Sequence, residues 1–218
     1  MIREESLKKM NEDFAAMAKL LTEQFSLLEK QIDGPINLET TAKIKANEKQ
    51  LDQYEIQFRE SIVNDIVRLT PRARDLRRII ALLNIIIDME RMGDLLNSIN
   101  KRLPIIANSD EVWKPYQHKI RSLFSMVQKM NENIIYAFET ENDYIARNII
   151  ATDDQVDEYY HEIHRQLFQN DVKADIMPSY LNLSRVLYML ERIGDCCTNI
   201  AEDLVYLVEG INVKHTDL

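Results

Sequence analysis

A six-residue motif occurs twice in this 218-residue chain, and the repeat constrains the fold more than any other feature. Met-Glu-Arg-Met-Gly-Asp at 89–94 returns as Leu-Glu-Arg-Ile-Gly-Asp at 190–195. The distance between the two copies is close to half the chain length, which indicates an internal duplication. Both halves are therefore expected to adopt the same architecture.

Apolar residues recur at spacings of three and four over most of the chain, which is the pattern of amphipathic α-helices. Only 4 glycines and 5 prolines interrupt this pattern, which is few for a sheet-rich fold. The apolar stripes predict six helices, three on each side of Pro104. The predicted helices occupy residues 7–28, 44–69, 71–102, 110–134, 145–167 and 178–210.

Residues with known capping preferences mark the predicted helix boundaries. Gly34-Pro35 ends the first helix, and Thr70-Pro71 separates the second helix from the third. The charges of Lys101-Arg102 suit the end of the third helix. Asp110 is the predicted N-cap of the fourth helix, and Gly210 ends the sixth.

Three helices per half and short connections predict an all-α fold. The chain is long enough for two bundles of about 100 residues, each with its own core. We predict two tandem antiparallel three-helix bundles, which comprise residues 1–104 and residues 105–218.

Acidic residues outnumber basic ones by 36 to 27, so the formal charge is -9 and the protein repels nucleic acid and anionic membranes. Residues 1–10 lack the apolar core of a signal peptide, and the longest apolar stretch, 79–89, is too short to span a bilayer. Cys196 and Cys197 are neighbours that are poorly placed to bridge each other, which suits a reducing compartment. We predict a cytoplasmic protein with no membrane span and no nucleic-acid partner.

The repeated motif places a glutamate and an aspartate four residues apart, so that both carboxylates project from one helix face. The pairs are Glu90/Asp94 and Glu191/Asp195. Each pair continues an apolar line of its helix, where a carboxylate faces the bundle or its rim and an uncompensated charge is costly. Such pairs are also common on solvated helix surfaces, so the prediction of a site depends on their placement and duplication.

A glycine precedes the aspartate in both copies of the motif, at Gly93 and Gly194. Glycine in the middle of a helix costs about 1 kcal/mol relative to alanine. This cost predicts that another helix or a ligand approaches the backbone closely at both positions.

The second helix of each half carries a matching acidic pair, Glu48/Asp52 and Asp153/Asp157. In an antiparallel bundle these pairs can lie against those of the third helices, so that four carboxylates meet in each bundle. Oxygen ligands of this kind suit Mg²⁺, Ca²⁺, Mn²⁺ or iron better than a metal that selects thiolates. A purely structural polar network is the alternative.

Asn199 continues the line of Asp195 by another turn and would add a neutral oxygen ligand, whereas the first half has Ser98 at the equivalent position. We therefore predict the stronger metal site in the second half. Cys196 and Cys197 are interpreted as small buried residues, with soft metal ligation as the alternative.

The motifs ERMGD and ERIGD, the latter followed by Cys-Cys-Thr-Asn-Ile-Ala-Glu at 196–202, resemble the repeated third-helix signature of the PhoU family. Arg-Asp-Leu-Arg at 74–77 is similar to the segment that precedes it in the first repeat of that family. The acidic pairs of the second helices match the family's E/DxxxD pattern. The resemblance spans nearly the whole chain, and Met92, where isoleucine is more usual, is a departure from it.

The resemblance implies a negative regulator without catalytic activity that couples a phosphate transporter subunit to a sensor histidine kinase and keeps phosphate-starvation genes off when phosphate is plentiful. It also implies a metal cofactor, expected to be an iron cluster, with Mg²⁺, Mn²⁺, Ca²⁺ and Zn²⁺ as alternatives. A homodimer and a peripheral membrane location through these partners are compatible with it. The expected metal ligands are Glu48, Asp52, Glu90, Asp94, Asp153, Asp157, Glu191, Asp195 and Asn199.

Three other functions stay open. A carboxylate-bridged metal-dependent enzyme would need Glu-x-x-His motifs on two helices, and the chain has one, from Glu158 to His161. An accessory protein of a low-affinity phosphate transporter would share much of the same signature. A plain helical adaptor would use its apolar seams for partner helices and its acids for solubility.

Overall fold

A computed structural model of the chain describes residues 4–69, 73–168, 172–211 and 213, and this part consists of six α-helices without a strand. The fold is therefore all-α, as the apolar periodicity predicts. None of the described helices contains an apolar segment long enough to cross a membrane. The helices are α1 (Glu4–Asp33), α2 (Leu38–Leu69), α3 (Ala73–Ala107), α4 (Asp110–Thr140), α5 (Asp143–Leu167) and α6 (Met177–Glu209).

Helix α3 continues past Lys101-Arg102 and includes Pro104, so the predicted end of this helix is wrong. A proline inside a helix removes one hydrogen bond to the preceding turn and crowds that turn. Leu103 and Ile106 on the last turns are completely buried. Their burial offsets the local cost of the proline, so the helix ends only at Ala107.

The start of α4 also differs from the prediction. Ser109, which has an extended backbone, is the N-cap, and Asp110 is the first helical residue, so the prediction that Asp110 caps the helix is wrong. An acid in the first turn still interacts favourably with the positive end of the helix dipole. The predicted boundary at Thr70-Pro71 lies outside the described residues.

Helix α6 begins and ends close to its predicted boundaries. It starts at Met177, with Pro178 in the first turn, where a backbone N–H would have no helical acceptor. It ends at Glu209, and Gly210 follows with a φ of 75°, a left-handed conformation that glycine adopts without steric cost.

The helices form two antiparallel three-helix bundles, α1 to α3 and α4 to α6, which share one continuous apolar core. The central helices α3 and α6 pack against each other in opposite directions. Asn84 in the first half of α3 donates a hydrogen bond to Asp203 near the end of α6 (3.3 Å), and Ser179 at the start of α6 donates to the Ile105 carbonyl (2.9 Å). The division of the repeats between residues 104 and 105 stays a prediction.

Helices α1 and α4 complete the interface between the bundles. The rings of Phe14 and Phe138 stack with their centroids 3.6 Å apart, and those of Phe25 and Phe124 meet at 5.6 Å in a tilted arrangement. Aromatic pairs of this kind bury large apolar areas. The two bundles therefore stabilise each other through ring contacts as well as through the central helices.

Mid-helix glycines allow the second and third helices of each bundle to approach closely. A Cβ atom at Gly93 would collide with Leu51 of α2. A Cβ atom at Gly194 would lie 3.2 Å from Val156 and 3.5 Å from an oxygen of Asp153, both on α5. The close approach predicted from the two glycines is confirmed, and it sets the distance at which the acidic pairs of these helices meet.

Substitution of Gly93 by alanine should lower the melting temperature, which circular dichroism can measure. Alanine gains up to about 1 kcal/mol in helix propensity. Here its methyl group must displace the buried Leu51 side chain, and overpacking of a core costs about 1–3 kcal/mol.

The same substitution in a Leu51→Ala background is the matched control. Because the shorter side chain makes room for the methyl group, Gly93→Ala should cost less stability there than in the wild type. An equal loss in both backgrounds would contradict the steric explanation.

Candidate metal centre

Carboxylates of α2 and α3 lie together in the first bundle. Helix α2 carries Glu48 and Asp52 on successive turns, both half-buried, and α3 brings Asp94 against them. One oxygen atom from each of these three residues lies within 4.8 Å of the other two. We call these residues, together with Glu90, the first acidic group.

Glu90 is half-buried beside the other carboxylates of the group. Burial, followed by the charges of Asp94 and Asp52, raises the pKa of Glu90 to about 7. Glu55 adds to the same negative field, although it was not among the predicted site residues. It lies three residues after Asp52, so the helical spacing was a signal that could have revealed it. Its carboxylate also pairs with Arg59.

The side chains of Asp94 and Glu48 are close enough to share a hydrogen bond. Two carboxylates can do this only when one of them carries a proton. Burial raises the pKa of Asp94, as do the charges of Glu48 and Asp52, whereas Lys101 lowers it. The carboxylates of the first acidic group therefore hold protons more readily than isolated carboxylates do. A bound cation would displace these protons.

The second bundle contains the second acidic group, which consists of Asp153 and Asp157 on α5 and Glu191 and Asp195 on α6. Asp153 Oδ1, Asp157 Oδ1 and Glu191 Oε2 are buried and have no hydrogen-bond partner among the described residues. Burial and the charge of Asp157 raise the pKa of Asp153 to about 6. Burial and the charge of Asp195 raise the pKa of Glu191 to about 7. Buried carboxylate oxygens without donors are costly, and a cation between the helices would offset that cost.

The turn that follows Asp195 adds two polar residues to this side of α6. Thr198 lies beside Asp153 and lowers its pKa, and it was not among the predicted site residues. Its position three residues after Asp195 was the available signal. Asn199 is half-buried one turn beyond Asp195, and its role as a neutral oxygen ligand stays a prediction.

The second acidic group also has a basic neighbour within its own motif. Arg192 Nη1 lies 2.8 Å from Asp195 Oδ2 and donates a hydrogen bond to it. Burial raises the pKa of Asp195, and the charge of Arg192 opposes this shift. The charge of Asp195 is therefore partly compensated without a metal.

The thiols of Cys196 and Cys197 and the imidazole of His161 are the other donor groups closest in sequence to the second acidic group. Cys196 and Cys197 are buried, and burial raises the pKa of the Cys196 thiol to about 12, so their interpretation as small buried residues is confirmed. Glu158 and His161 of the single Glu-x-x-His motif are both exposed on α5. The donor set of both acidic groups is thus carboxylate oxygen, which fits hard divalent cations and iron.

A family model for the PhoU domain matches the chain twice, over residues 14–103 and 120–204. The chain belongs to the PhoU family. Each match falls within one of the two bundles, so this PhoU-family chain is an internal duplication, as the repeated motif predicts.

Known PhoU proteins resemble the chain over nearly its whole length. The phosphate-specific transport system accessory protein PhoU homolog of Pseudomonas aeruginosa is 31% identical, over 100% of this chain and 95% of its own. The protein of the same name from Aquifex aeolicus is 29% identical, over 96% of this chain and 94% of its own.

Two solved structures share the fold. The crystal structure of PhoU from Pseudomonas aeruginosa has a TM-score of 0.81 at 28% identity and covers 94% of this chain and 98% of its own. The phosphate transport system regulatory protein PhoU from Streptococcus pneumoniae, at 22% identity, has a TM-score of 0.80 over 97% of this chain and 98% of its own. The two-bundle architecture is therefore that of other PhoU proteins.

Acidification should stabilise the metal-free protein. The pKa of Glu90 and that of Glu191 are each raised from 4.5 to about 7, so between these values the folded protein binds more protons than the unfolded chain. The free energy of unfolding then falls as pH rises through this interval. Melting temperatures in the presence of a chelator should be higher at about pH 5 than at about pH 8.

The double variant Glu90→Gln, Glu191→Gln should show a weaker dependence of melting temperature on pH, because both titrating groups are removed. The exposed residues Glu60 and Glu158 supply a matched control, since replacing both by glutamine should leave the dependence unchanged. A wild-type slope in the first double variant would rule out these two groups as its cause.

Proposed function

We propose that this protein is an accessory regulator of phosphate-specific transport that binds metal ions at both acidic groups and has no catalytic activity of its own. The observation that carries the proposal is the similarity to proteins named phosphate-specific transport system accessory proteins, which covers 100% and 96% of this chain in two of them. The presence of one acidic group in each repeat supports metal binding as a property of both.

The carboxylates of neighbouring helices would hold the metal ions. In the first bundle these are Glu48 and Asp52 of α2 with Glu90 and Asp94 of α3. A cation there supplies positive charge that offsets the repulsion between carboxylates and joins the two helices. Asp153, Asp157, Glu191, Asp195 and Asn199 would serve in the second bundle. An iron cluster is the expected cofactor, with Mg²⁺, Mn²⁺, Ca²⁺ and Zn²⁺ as alternatives.

Regulation would proceed through protein contacts in the cytoplasm. The proposed partners are a phosphate transporter subunit and a sensor histidine kinase, through which the protein reaches the membrane surface and keeps phosphate-starvation genes off when phosphate is plentiful. Metal ions between α2 and α3 and between α5 and α6 would stiffen the surfaces that these helices offer to partners. A homodimer is compatible with this role.

Removal of one aspartate from each group should abolish most metal binding. The double variant Asp52→Asn, Asp157→Asn keeps side-chain size but removes one negative charge per site, so we expect at least a tenfold loss of affinity for Mn²⁺ or Fe²⁺ at each site. Calorimetric titration and elemental analysis of protein purified without a chelator measure the effect.

The exposed acids again provide the control, because Glu60→Gln with Glu158→Gln changes the net charge by the same amount outside the groups. That variant should retain wild-type affinity. Equal metal content in the wild type and in both double variants, or no metal in the wild type, would exclude the acidic groups as metal sites.

Loss of the protein from its host should switch on phosphate-starvation genes in phosphate-rich medium, as a reporter gene can show. Affinity-tagged protein should retain a transporter subunit and a histidine kinase, identified by mass spectrometry. Normal repression in the deletion strain would refute the regulatory proposal. Retention of a low-affinity transporter in place of these partners would support the alternative accessory role.

A further inference from the structure

The arginine of the repeated motif has different partners in the two bundles. We propose that Arg192 is a built-in counter-cation that weakens the second metal site, so that the two repeats fill at different cation concentrations and the first repeat fills first. The inference rests on the proposed metal binding and concerns the difference in cation affinity between the two sites.

In the first bundle, the arginine forms its ion pair outside the acidic group, although its charge still lowers the pKa of Glu90. Arg91 Nη1 lies 3.0 Å from Asp88 Oδ1, and Asp88 is 8% exposed on the side of α3 that packs against Cys196 of α6. Asp94 is consequently available to the acids of α2, and its oxygen lies within 4.8 Å of those of Glu48 and Asp52. A cation entering this group meets the charges of Lys101 and Arg91 but no ion pair on one of its carboxylates like that of Arg192 with Asp195.

In the second bundle, the equivalent arginine lies against a predicted ligand. Arg192 Nη1 is 2.8 Å from Asp195 Oδ2, and both side chains are only partly exposed, at 41% and 31%. No three carboxylates of the second group have oxygens within 4.8 Å of one another in the part of the chain that the structure describes. The ion pair therefore occupies Oδ2 of Asp195 and leaves Oδ1 for a metal, while the guanidinium repels any cation that approaches.

One sequence difference accounts for the two arrangements. The residue three positions before the motif arginine is Asp88 in the first repeat and Met189 in the second. Arg91 therefore has an acid within reach on the preceding turn, whereas Arg192 has none there and pairs with the acid on the following turn. The motif arginine thus pairs with a predicted ligand in the second repeat and with an acid outside the group in the first.

The contacts reverse the order of affinity that Asn199 predicts from sequence alone. A neutral amide oxygen adds one weak ligand to the second site, whereas a positive charge beside Asp195 opposes a divalent cation through a stronger interaction. The first site would stay occupied at low cation concentration. The second would respond only at higher concentration.

Mn²⁺ titrations monitored by electron paramagnetic resonance of the free ion can test the proposal on each site separately. The double variant Asp52→Asn, Asp94→Asn removes two ligands of the first site and leaves the second intact. The double variant Asp153→Asn, Asp157→Asn does the reverse. The protein that keeps only its first site should bind Mn²⁺ more tightly than the protein that keeps only its second. Adding Arg192→Met to the protein with only its second site should strengthen Mn²⁺ binding about tenfold, because an opposing charge is removed.

Arg91→Met in the protein with only its first site is the matched control, and its affinity should change less than about threefold, since Arg91 is paired elsewhere. Met189→Asp is an independent variant that restores the first-repeat pattern and should also strengthen the second site. If circular dichroism shows that Met189→Asp does not fold, Arg192→Met decides alone. Unchanged or weaker Mn²⁺ binding by folded Arg192→Met would overturn the inference, while a wild type that binds no Mn²⁺ would overturn the proposed metal binding as well.

Discussion

The close approach of α2 to α3 at Gly93, and of α5 to α6 at Gly194, is the constraint on which the functional architecture depends. Each approach brings acidic pairs from two helices into a partly buried space, where burial, followed by the charges of neighbouring carboxylates, raises the pKa of Glu90 and of Glu191. This cost in stability arises in both bundles. A carboxylate arrangement that opposes its own ionisation is stabilised by a bound cation, so the packing and the proposed function have the same origin.

The apolar packing of the molecule is what makes that cost tolerable. Helices α3 and α6 pack against each other in the middle of a shared core, and stacked phenylalanines join α1 to α4. Burial of so many apolar side chains contributes far more stability than the repulsion within either acidic group removes. The bundles can therefore hold charged sites at their rims without losing their helical geometry.

Duplication produced two acidic groups of similar outline and different electrostatics. Asp88 has no counterpart in the second repeat, so Arg192 pairs with a site residue while Arg91 does not. One substitution outside the acidic pairs thus changes the charge balance of a site. On the proposed metal binding, the two sites would differ in affinity while keeping the same ligand pattern.

The sequence by itself determined the all-α class, the six helices, the duplication and the acidic pairs, because periodicity and helical spacing are local properties. It did not determine the end of α3, since tertiary burial of Leu103 and Ile106 outweighs the local effect of Pro104. Only the tertiary structure decided how closely the carboxylates of neighbouring helices meet, with one oxygen each of Glu48, Asp52 and Asp94 within 4.8 Å of the other two. The arginine contacts follow from residues three apart on one helix. The approach of the carboxylates depends on distances between helices, and no spacing within one helix encodes it.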